Sequence, residues 1–302
     1  MMKKLLALLL CLMMLPATVA SAGTPEEDGL TVRIVTANIW GDYFGNPVRD
    51  REGAFLDAFT GYGADVIGMQ ECTANWHKSN LFSGLQEKGY TLVNDFKGVS
   101  MNYVPIFFRS DRFELIDSGF LYYMKVPNDR SKAYTFAVLK SIEDGQVFGV
   151  VNTHFWWKSG EEHDAIRMIN AEQLVKAMKS IQEKHNCPVF AFGDLNCTKY
   201  SGPFNYFAEN GIVRLLSVAQ TFSKKSSHHG DPVEDENGIF HGSLPKNPEA
   251  KAIDHIIGMY EGFNVDVLTY QLILDQPVLD ASDHSPVYAD VVLHGKAETT
   301  AE

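Results

Sequence analysis

From Thr31 to Leu293 the chain is built of short apolar, β-branched and aromatic runs bounded by Gly, Pro, Asn, Asp and Ser, which is the pattern of β-strands. These runs cover Thr31 to Thr36, Asp65 to Met69, Val104 to Arg109, Tyr134 to Lys140, Val147 to Asn152, Val189 to Gly193, Ile253 to Ile257, Val265 to Leu274 and Val287 to Leu293. Helical periodicity is rarer. Its best instance is His163 to Lys184, where Ile166, Ile169, Leu174, Ala177, Met178 and Ile181 line one stripe; weaker patterns cover Arg51 to Thr60 and Thr73 to Glu87. Many strands with few helices predict an α/β protein of two packed sheets with helices outside them, rather than the strict alternation of a doubly wound fold. No Pro- or Gly-rich linker divides 31–293, and no repeat with a period of roughly 20 to 50 residues occurs, so one domain is expected and solenoids and propellers are excluded. Phe222 to Asn247 breaks the pattern: it lacks periodicity and is rich in Ser, His, Gly, Pro and acids. A loop of that length in a compact domain is functional or disordered.

The two ends stand apart. Lys3 and Lys4, an apolar run from Leu5 to Leu15 and the small residues Ala20, Ser21 and Ala22 make residues 1–22 an expected signal peptide. The run is about half the roughly 20 apolar residues a membrane span needs, and no later segment is longer, so no transmembrane segment is expected and the chain should be secreted or periplasmic. Residues 23–30 and 294–302 are expected to be frayed tails. Export would leave 24 basic side chains against 38 acidic, a formal charge of −14. That disfavours a stable nucleic-acid complex, which rests on clustered Lys and Arg, although a cation carried with the substrate can offset it. Cys72, Cys187 and Cys197 would remain. A bridge from Cys187 to Cys197 is disfavoured, because a strand between them rises about 3.3 Å per residue and disulfide Cα atoms lie roughly 4.4 to 6.8 Å apart.

Several expected strands end in a residue able to bind a cation or move a proton: Asn38, Glu71, His154, Asp194 with Asn196, Asp254, and Asp283 with His284. One such residue is an ordinary turn former. A whole series behind buried-looking strands is harder to explain as independent caps. Glu71, Asp283 and Asn38 are hard oxygen donors of the kind Mg2+ takes in small number while keeping waters. Asp194 can take a proton from water, Asn196 can donate to a phosphoryl oxygen, and His154 and His284 titrate near neutral pH. Asp254 can hold His284 in one tautomer. No thiol or hydroxyl is evidently paired with a base, which favours direct attack by water.

In this order, Thr36-Ala37-Asn38-Ile39-Trp40, Gln70-Glu71, Asn152-Thr153-His154, Gly193-Asp194-Leu195-Asn196, Ile253-Asp254-His255 and Ser282-Asp283-His284 resemble the endonuclease/exonuclease/phosphatase superfamily, the deoxyribonuclease I-like fold, over residues 31–293. The resemblance implies a four-layer α/β/β/α sandwich of two mixed sheets packed face to face, and a phosphoester hydrolase, of phosphodiesterase type, dependent on Mg2+ or Mn2+. It implies that Asn38 and Glu71 hold the metal, Asp194 orients or deprotonates water, Asn196 binds phosphate, His154 assists the leaving group, and Asp254 with His284 polarises the phosphoryl centre. Many relatives have a Glu seven residues before the Arg that here is Arg109, supporting the histidine of Asn-Thr-His. This chain has Asn102, which would leave His154 without a partner charge. The expected partner is a phosphoester substrate, whether small molecule, lipid headgroup or nucleic acid, and the chain is expected to be a monomer. An extracellular nuclease, a sphingomyelinase-like enzyme and a non-catalytic module on the same fold are the alternatives.

Smaller expectations concern neighbours of these motifs. Of Trp156 and Trp157, which follow His154, Trp156 is taken as the substrate contact. His228, His229, Asp231 and His241 have the composition of a metal site but irregular spacing, so solvated loop histidines are expected. Lys224 and Lys225 are too short a basic run to mean nucleic acid. Cys72 and Cys197 are expected to be separate buried thiols.

Overall fold

A computed structural model of the chain describes residues 29–42, 45–94, 96–125 and 129–296. The expected signal peptide lies outside the described residues. One sheet has seven strands in the order β10 (Thr221–Phe222), β14 (Phe263–Leu272), β15 (Val287–Lys296), β1 (Leu30–Asn38), β2 (Val66–Gln70), β4 (Ile106–Arg109) and β3 (Tyr90–Val93). The other has six: β5 (Phe113–Tyr122), β6 (Ala133–Ser141), β7 (Val147–His154), β8 (Val189–Asp194), β13 (Asp254–Met259) and β9 (Val213–Arg214). A two-stranded ribbon, β11 (Val233–Glu234) and β12 (Phe240–His241), lies in the long loop.

Both sheets are mixed, and the central strands are apolar on both faces. Val32 and Ile34 of β1, Val66 of β2, Val150 of β7, Phe190 and Phe192 of β8 and Ile256 of β13 form the core between the sheets. Their neighbours Val35, Ala37, Ile67 and Met69 face away, onto α1 (Glu52–Gly61), α2 (Ala74–His77), α3 (Asn80–Glu87) and α6 (Gln276–Ala281). On the other side Val151, Ala191 and Ile257 meet α4 (Glu161–His185) and α5 (Gly202–Glu209). The result is the expected α/β/β/α sandwich with three apolar layers, one between the sheets and one under each helical layer. The 25-residue α4 carries Glu161, Glu162 and Asp164 in its first turn and Lys184 and His185 in its last, complementing the helix dipole, and ends on Asn186 in the left-handed region.

Several expectations need correction. Leu30 is buried at the start of β1 and β15 runs on to Lys296, so residues 30 and 294–296 belong to strands and not to tails; residues 23–28 and 297–302 of the expected tails lie outside the described residues. The helix expected over Thr73 to Glu87 is two helices, because Ser79 takes an extended conformation between them. β5 has no counterpart in the pattern: it is an edge strand, largely solvent-facing, with a bulge between Leu115 and Asp117, and Asp117-Ser118-Gly119 looks like a turn. The Phe222 to Asn247 stretch packs onto the domain, where His228 makes an isolated bridge with His284.

One position between the sheets and one under the helical layer of α5 generate measurable consequences. A Cβ added to Gly68 would stand 2.2 Å from a ring carbon of Phe192 and 2.8 Å from Cγ of Asn152. Gly68→Ala should therefore destabilise the fold by about 1–3 kcal/mol, read as a lower urea midpoint at unchanged m-value. Fully buried His255 has Nδ1 3.3 Å from Nε of Arg214 and Nε2 3.0 Å from the Cys197 carbonyl, which makes Nε2 the protonated nitrogen. Burial and the Arg214 charge push its pKa down to about 3. The unfolded chain takes up a proton near the ordinary value of about 6.5 and the native protein does not, so this stabilisation is complete above about 6.5 and is lost as pH falls toward about 3. His255→Gln should flatten the fall of unfolding free energy between pH 7 and 4; parallel curves for the two proteins would contradict the assignment.

Candidate active site

The inner faces of the central strands turn from apolar to polar at one shared rim. On β1 the sequence of inward positions is Ile34, Thr36, Asn38; on β7 it is Val150, Asn152, His154; on β8 it is Phe190, Phe192, Asp194. β1 runs parallel to β2 and β7 parallel to β8, so these polar ends coincide. β13 runs antiparallel to β8 with Asp254 opposite Asp194, and β15 starts at Val287 opposite Thr36, which brings Ser282 to Ser285 over the same rim. The sheets are tied there by side chains. Gln70 Nε2 donates to Thr36 Oγ1 at 2.9 Å and to Asn152 Oδ1 at 2.6 Å, and Asn152 Nδ2 donates to the carbonyls of Met69 at 2.7 Å and Pro105 at 2.8 Å.

Above this layer lie the charged groups. Asn38 Nδ2 donates to Glu71 Oε1 at 3.1 Å and Asp194 Oδ2 at 3.2 Å, while its Oδ1 accepts from the Trp40 amide at 3.0 Å. Glu71 Oε2 accepts from the Gly41 amide at 2.9 Å. His154 Nε2 is 3.5 Å from Asp194 Oδ2 and 2.8 Å from Lys132 Nζ. Asp254 Oδ2 is 2.7 Å from His284 Nδ1 and also accepts from Ser227 Oγ. Asn196 receives Asp194 Oδ1 on its amide N–H at 2.8 Å and turns its side-chain Nδ2 to the Phe155 carbonyl at 3.2 Å. Glu71, Asn196 and Trp40 all have positive φ, at 62°, 49° and 53°. Such backbone is uncommon outside glycine and gathers at functional sites.

The charges set one another's protonation. Burial alone would raise Asp194, but the bond from His154 and the charges of His284, His154 and Lys132 hold it well below the carboxylate range. Glu71 is lowered likewise, with His154, Lys132, Gly41 and Asn38 outweighing burial. Asp283 goes the other way, raised by burial and by Glu71 against the pull of His284. His284 is raised well above its ordinary value because Asp254, Asp283 and Asp194 overcome its burial. Lys132 is lowered by burial, opposed by Glu71, Asp194 and Asp129.

The structure thus gathers Asn38, Glu71, His154, Asp194, Asn196, Asp254, Asp283 and His284 on one rim. Other expectations are corrected. Trp156 is buried, with its indole N–H 2.9 Å from His163 Nδ1, so it serves packing, and Trp157 is the exposed ring. Asn102 bonds Thr135 and the Val104 amide, and the partner of His154 is Lys132. Cys72 and Cys197 are, as expected, separate buried thiols, one in each of the two opposite outer cores. Burial raises both thiols, that of Cys197 to about 12. His228 is packed edge-on against His284, with ring centroids 4.7 Å apart, while its other side stays open to solvent, and both ring nitrogens of His229 are buried without a partner, so His229 is not a solvated loop histidine and His228 is only partly one.

Two functional residues were invisible to pattern. Lys132 precedes β6 in a polar stretch that reads as solvated, yet it is 4% exposed. Arg51 is buried and donates to the carbonyls of Ile39, Trp40, Gly41, Asn46 and Ala281 at 2.7 to 3.1 Å, clamping the segment that follows β1 and the end of α6; burial lowers its pKa to about 10. The donor chemistry fits a hard divalent cation. Glu71 is ionised, Asp283 and Asn38 are oxygen donors beside it, and Asp254 Oδ1 is a buried acceptor with no partner.

Comparison with known proteins follows this geometry. Residues 35–284 match the model of the Endonuclease/Exonuclease/phosphatase family. No curated protein matches the chain. Among solved structures, an endonuclease/exonuclease/phosphatase from Bacteroides vulgatus is 23% identical, with a TM-score of 0.68, covering 87% of this chain and 99% of its own. The mannosyl-6-phosphatase of Bacteroides thetaiotaomicron is 18% identical, with a TM-score of 0.66, covering 86% and 99%. The human Nocturnin catalytic domain, solved with a bound sulfate anion, is 19% identical, with a TM-score of 0.62, covering 88% and 96%. The family match spans most of the sequence, including the rim residues from Asn38 to His284: this chain belongs to the Endonuclease/Exonuclease/phosphatase family.

Proposed function

We propose that the chain is a metal-dependent phosphoester hydrolase in which water attacks phosphorus directly. The observation that carries this reading is the convergence of two buried acids, Asp194 and Asp254, and two half-buried ones, Glu71 and Asp283, with Lys132, His154, His284 and Asn196 on one rim of two sheets. Acids alone would repel a phosphate; here cationic groups and an amide donor share the rim with them. Glu71, Asn38 and Asp283 would hold Mg2+ or Mn2+, which when bound supplies positive charge at a phosphoryl oxygen.

The chain's own residues do the rest. Asp194, ionised and fixed by Asn38 and the Asn196 amide, accepts a hydrogen bond from the attacking water and receives its proton as the new P–O bond forms. Asn196 keeps one side-chain N–H for a non-bridging oxygen. His284, kept cationic by Asp254, offers a second charged donor to the phosphoryl group. His154 Nε2 lies 2.8 Å from Lys132 Nζ and 3.5 Å from Asp194 Oδ2, and this His-Lys pair protonates the leaving oxygen. Exposed Trp157, which follows rim residue His154 closely in the chain, supplies a ring face for the alcohol part of the substrate. The chain's negative charge and its lack of basic clusters favour a small or headgroup phosphoester over duplex nucleic acid, and the leader-like residues 1–22 favour action outside the cytoplasm.

A panel of a chromogenic diester, sugar phosphates, phospholipid headgroup esters and plasmid tests the reading in one experiment. The wild-type protein with Mg2+ or Mn2+ should turn over a small ester faster than plasmid, EDTA should abolish turnover, and Asp194→Asn should lower it at least about a hundredfold with the fold intact by circular dichroism. Full turnover in EDTA, or retention of more than about half of it in Asp194→Asn, would overturn the mechanism.

A further inference from the structure

The long loop that breaks the strand pattern supplies a histidine to a second cluster of donors. His228 Nε2 and His284 Nε2 each lie 3.8 Å from Asp283 Oδ2, and the three residues present one donor atom apiece within 4.8 Å of one another. The placement is built by the backbone. His228 bridges His284, the His229 amide donates to the Asp283 carbonyl at 2.9 Å, and the Ser285 amide donates to the Ser227 carbonyl at 3.0 Å, so the loop is stitched along Asp283 to Ser285 and its histidine cannot slip past its partner.

The surroundings orient the donors. Asp254 binds Nδ1 of His284 at 2.7 Å and is itself bound by Ser227 Oγ, which leaves Nε2 of His284 facing Asp283 and His228. A carboxylate holding the far nitrogen of a ligating imidazole is the usual outer support of a protein metal site. Three protein donors with an open side also match sites that keep a position for water or substrate, and the His228 side chain is 41% exposed, so the cluster opens to solvent. Donors around a tetrahedral cation at ordinary bond lengths stand about 3.3 Å apart, so the two 3.8 Å pairs must close by about half an ångström and the two imidazoles, which lie within 4.8 Å, by at most about 1.5 Å, a movement open to the side chain of His228 on its surface loop.

We infer that His228, Asp283 and His284 form a second divalent-cation site, selective for a borderline-soft ion such as Zn2+ or Co2+ over Mg2+. Two imidazoles and one carboxylate make the preference, since Mg2+ takes oxygen donors and imidazole suits the later transition metals. Asp283 is common to this site and to the oxygen-donor site around Glu71, and ligation takes the proton from Nε2 of His284, so the metal-filled site and the cationic His284 of the hydrolase reading are alternative states of one residue. The inference stands on the donor geometry and does not require the hydrolase reading.

The test is metal binding by the full, untagged chain, stripped of metal and then dialysed against Zn2+, with Co2+ visible absorption as the spectroscopic readout. His228→Phe keeps an aromatic ring against His284 and removes the donor; Glu71→Gln removes the neighbouring hard site. Zn2+ affinity should fall at least tenfold in His228→Phe, since even loss of an outer support weakens a site about 10- to 100-fold. The Co2+ ligand-field bands should vanish in His228→Phe and persist in Glu71→Gln. Mg2+ in excess should not displace the bound Co2+. Unchanged Zn2+ binding and unchanged Co2+ bands in His228→Phe would overturn the inference, as would their loss in Glu71→Gln alone. Neither readout involves turnover, so failure here leaves the hydrolase reading standing, and a protein without phosphoesterase activity could still bind Zn2+ through His228.

Discussion

The site depends on one constraint: polar and charged groups buried between two sheets must satisfy one another, because water does not reach them. Each central strand would be apolar throughout if the layers only had to pack. Instead the last inward positions carry Thr36, Asn38, Gln70, Asn152, His154 and Asp194, every one of them buried. Asn152 and Gln70 resolve the lower tier with neutral hydrogen bonds that cross from one sheet to the other. The upper tier is resolved by charge, with Lys132, His154 and His284 set among Glu71, Asp194, Asp254 and Asp283. Removing one member leaves an uncompensated buried charge, which is why the members are interdependent rather than a set of separate contributions.

The backbone serves the same end. Chain segments leave β1, β2 and β8 through left-handed residues at Trp40, Glu71 and Asn196, so the side chains just past the strands bend back over the rim. Gly193, at φ 147°, lets β8 lie against β7 where any Cβ would strike the Thr153 carbonyl. Arg51 then fixes the segment departing β1 and the end of α6 by donating to five carbonyls, a use of guanidinium that needs no carboxylate partner. The long loop adds Ser227 to Asp254 and His228 to His284, so a segment without periodicity is as much a part of the rim as the strands.

The two-sheet architecture was legible because strands buried on both faces read as continuous apolar runs, and the rim residues were legible because a polar string follows each run directly. What escaped has physical reasons. β5 is an edge strand whose exposed, bulged middle mimics a turn. Lys132 lies in a polar stretch, and nothing local marks a lysine that tertiary packing will bury. The register that set Asn102 beside His154 extrapolated strand geometry back from Arg109, but β4 begins only at Ile106, after Pro105, and the Asn102 side chain turns to Thr135 and the Val104 amide. Trp156 follows His154 closely in sequence, yet β7 ends at His154, and beyond it the chain packs under α4, where Asn170 and Arg167 hold the Trp156 backbone.

The central claim is that this rim receives a phosphoryl group, and the most direct measurement is a crystal structure of the protein with inorganic phosphate and Mg2+. The account predicts phosphate oxygens at hydrogen-bond distance, about 2.7–2.9 Å, from His284 and from the Asn196 side chain, with the cation on Glu71. A rim free of phosphate at saturating concentration, or phosphate seated elsewhere on the domain, would contradict it.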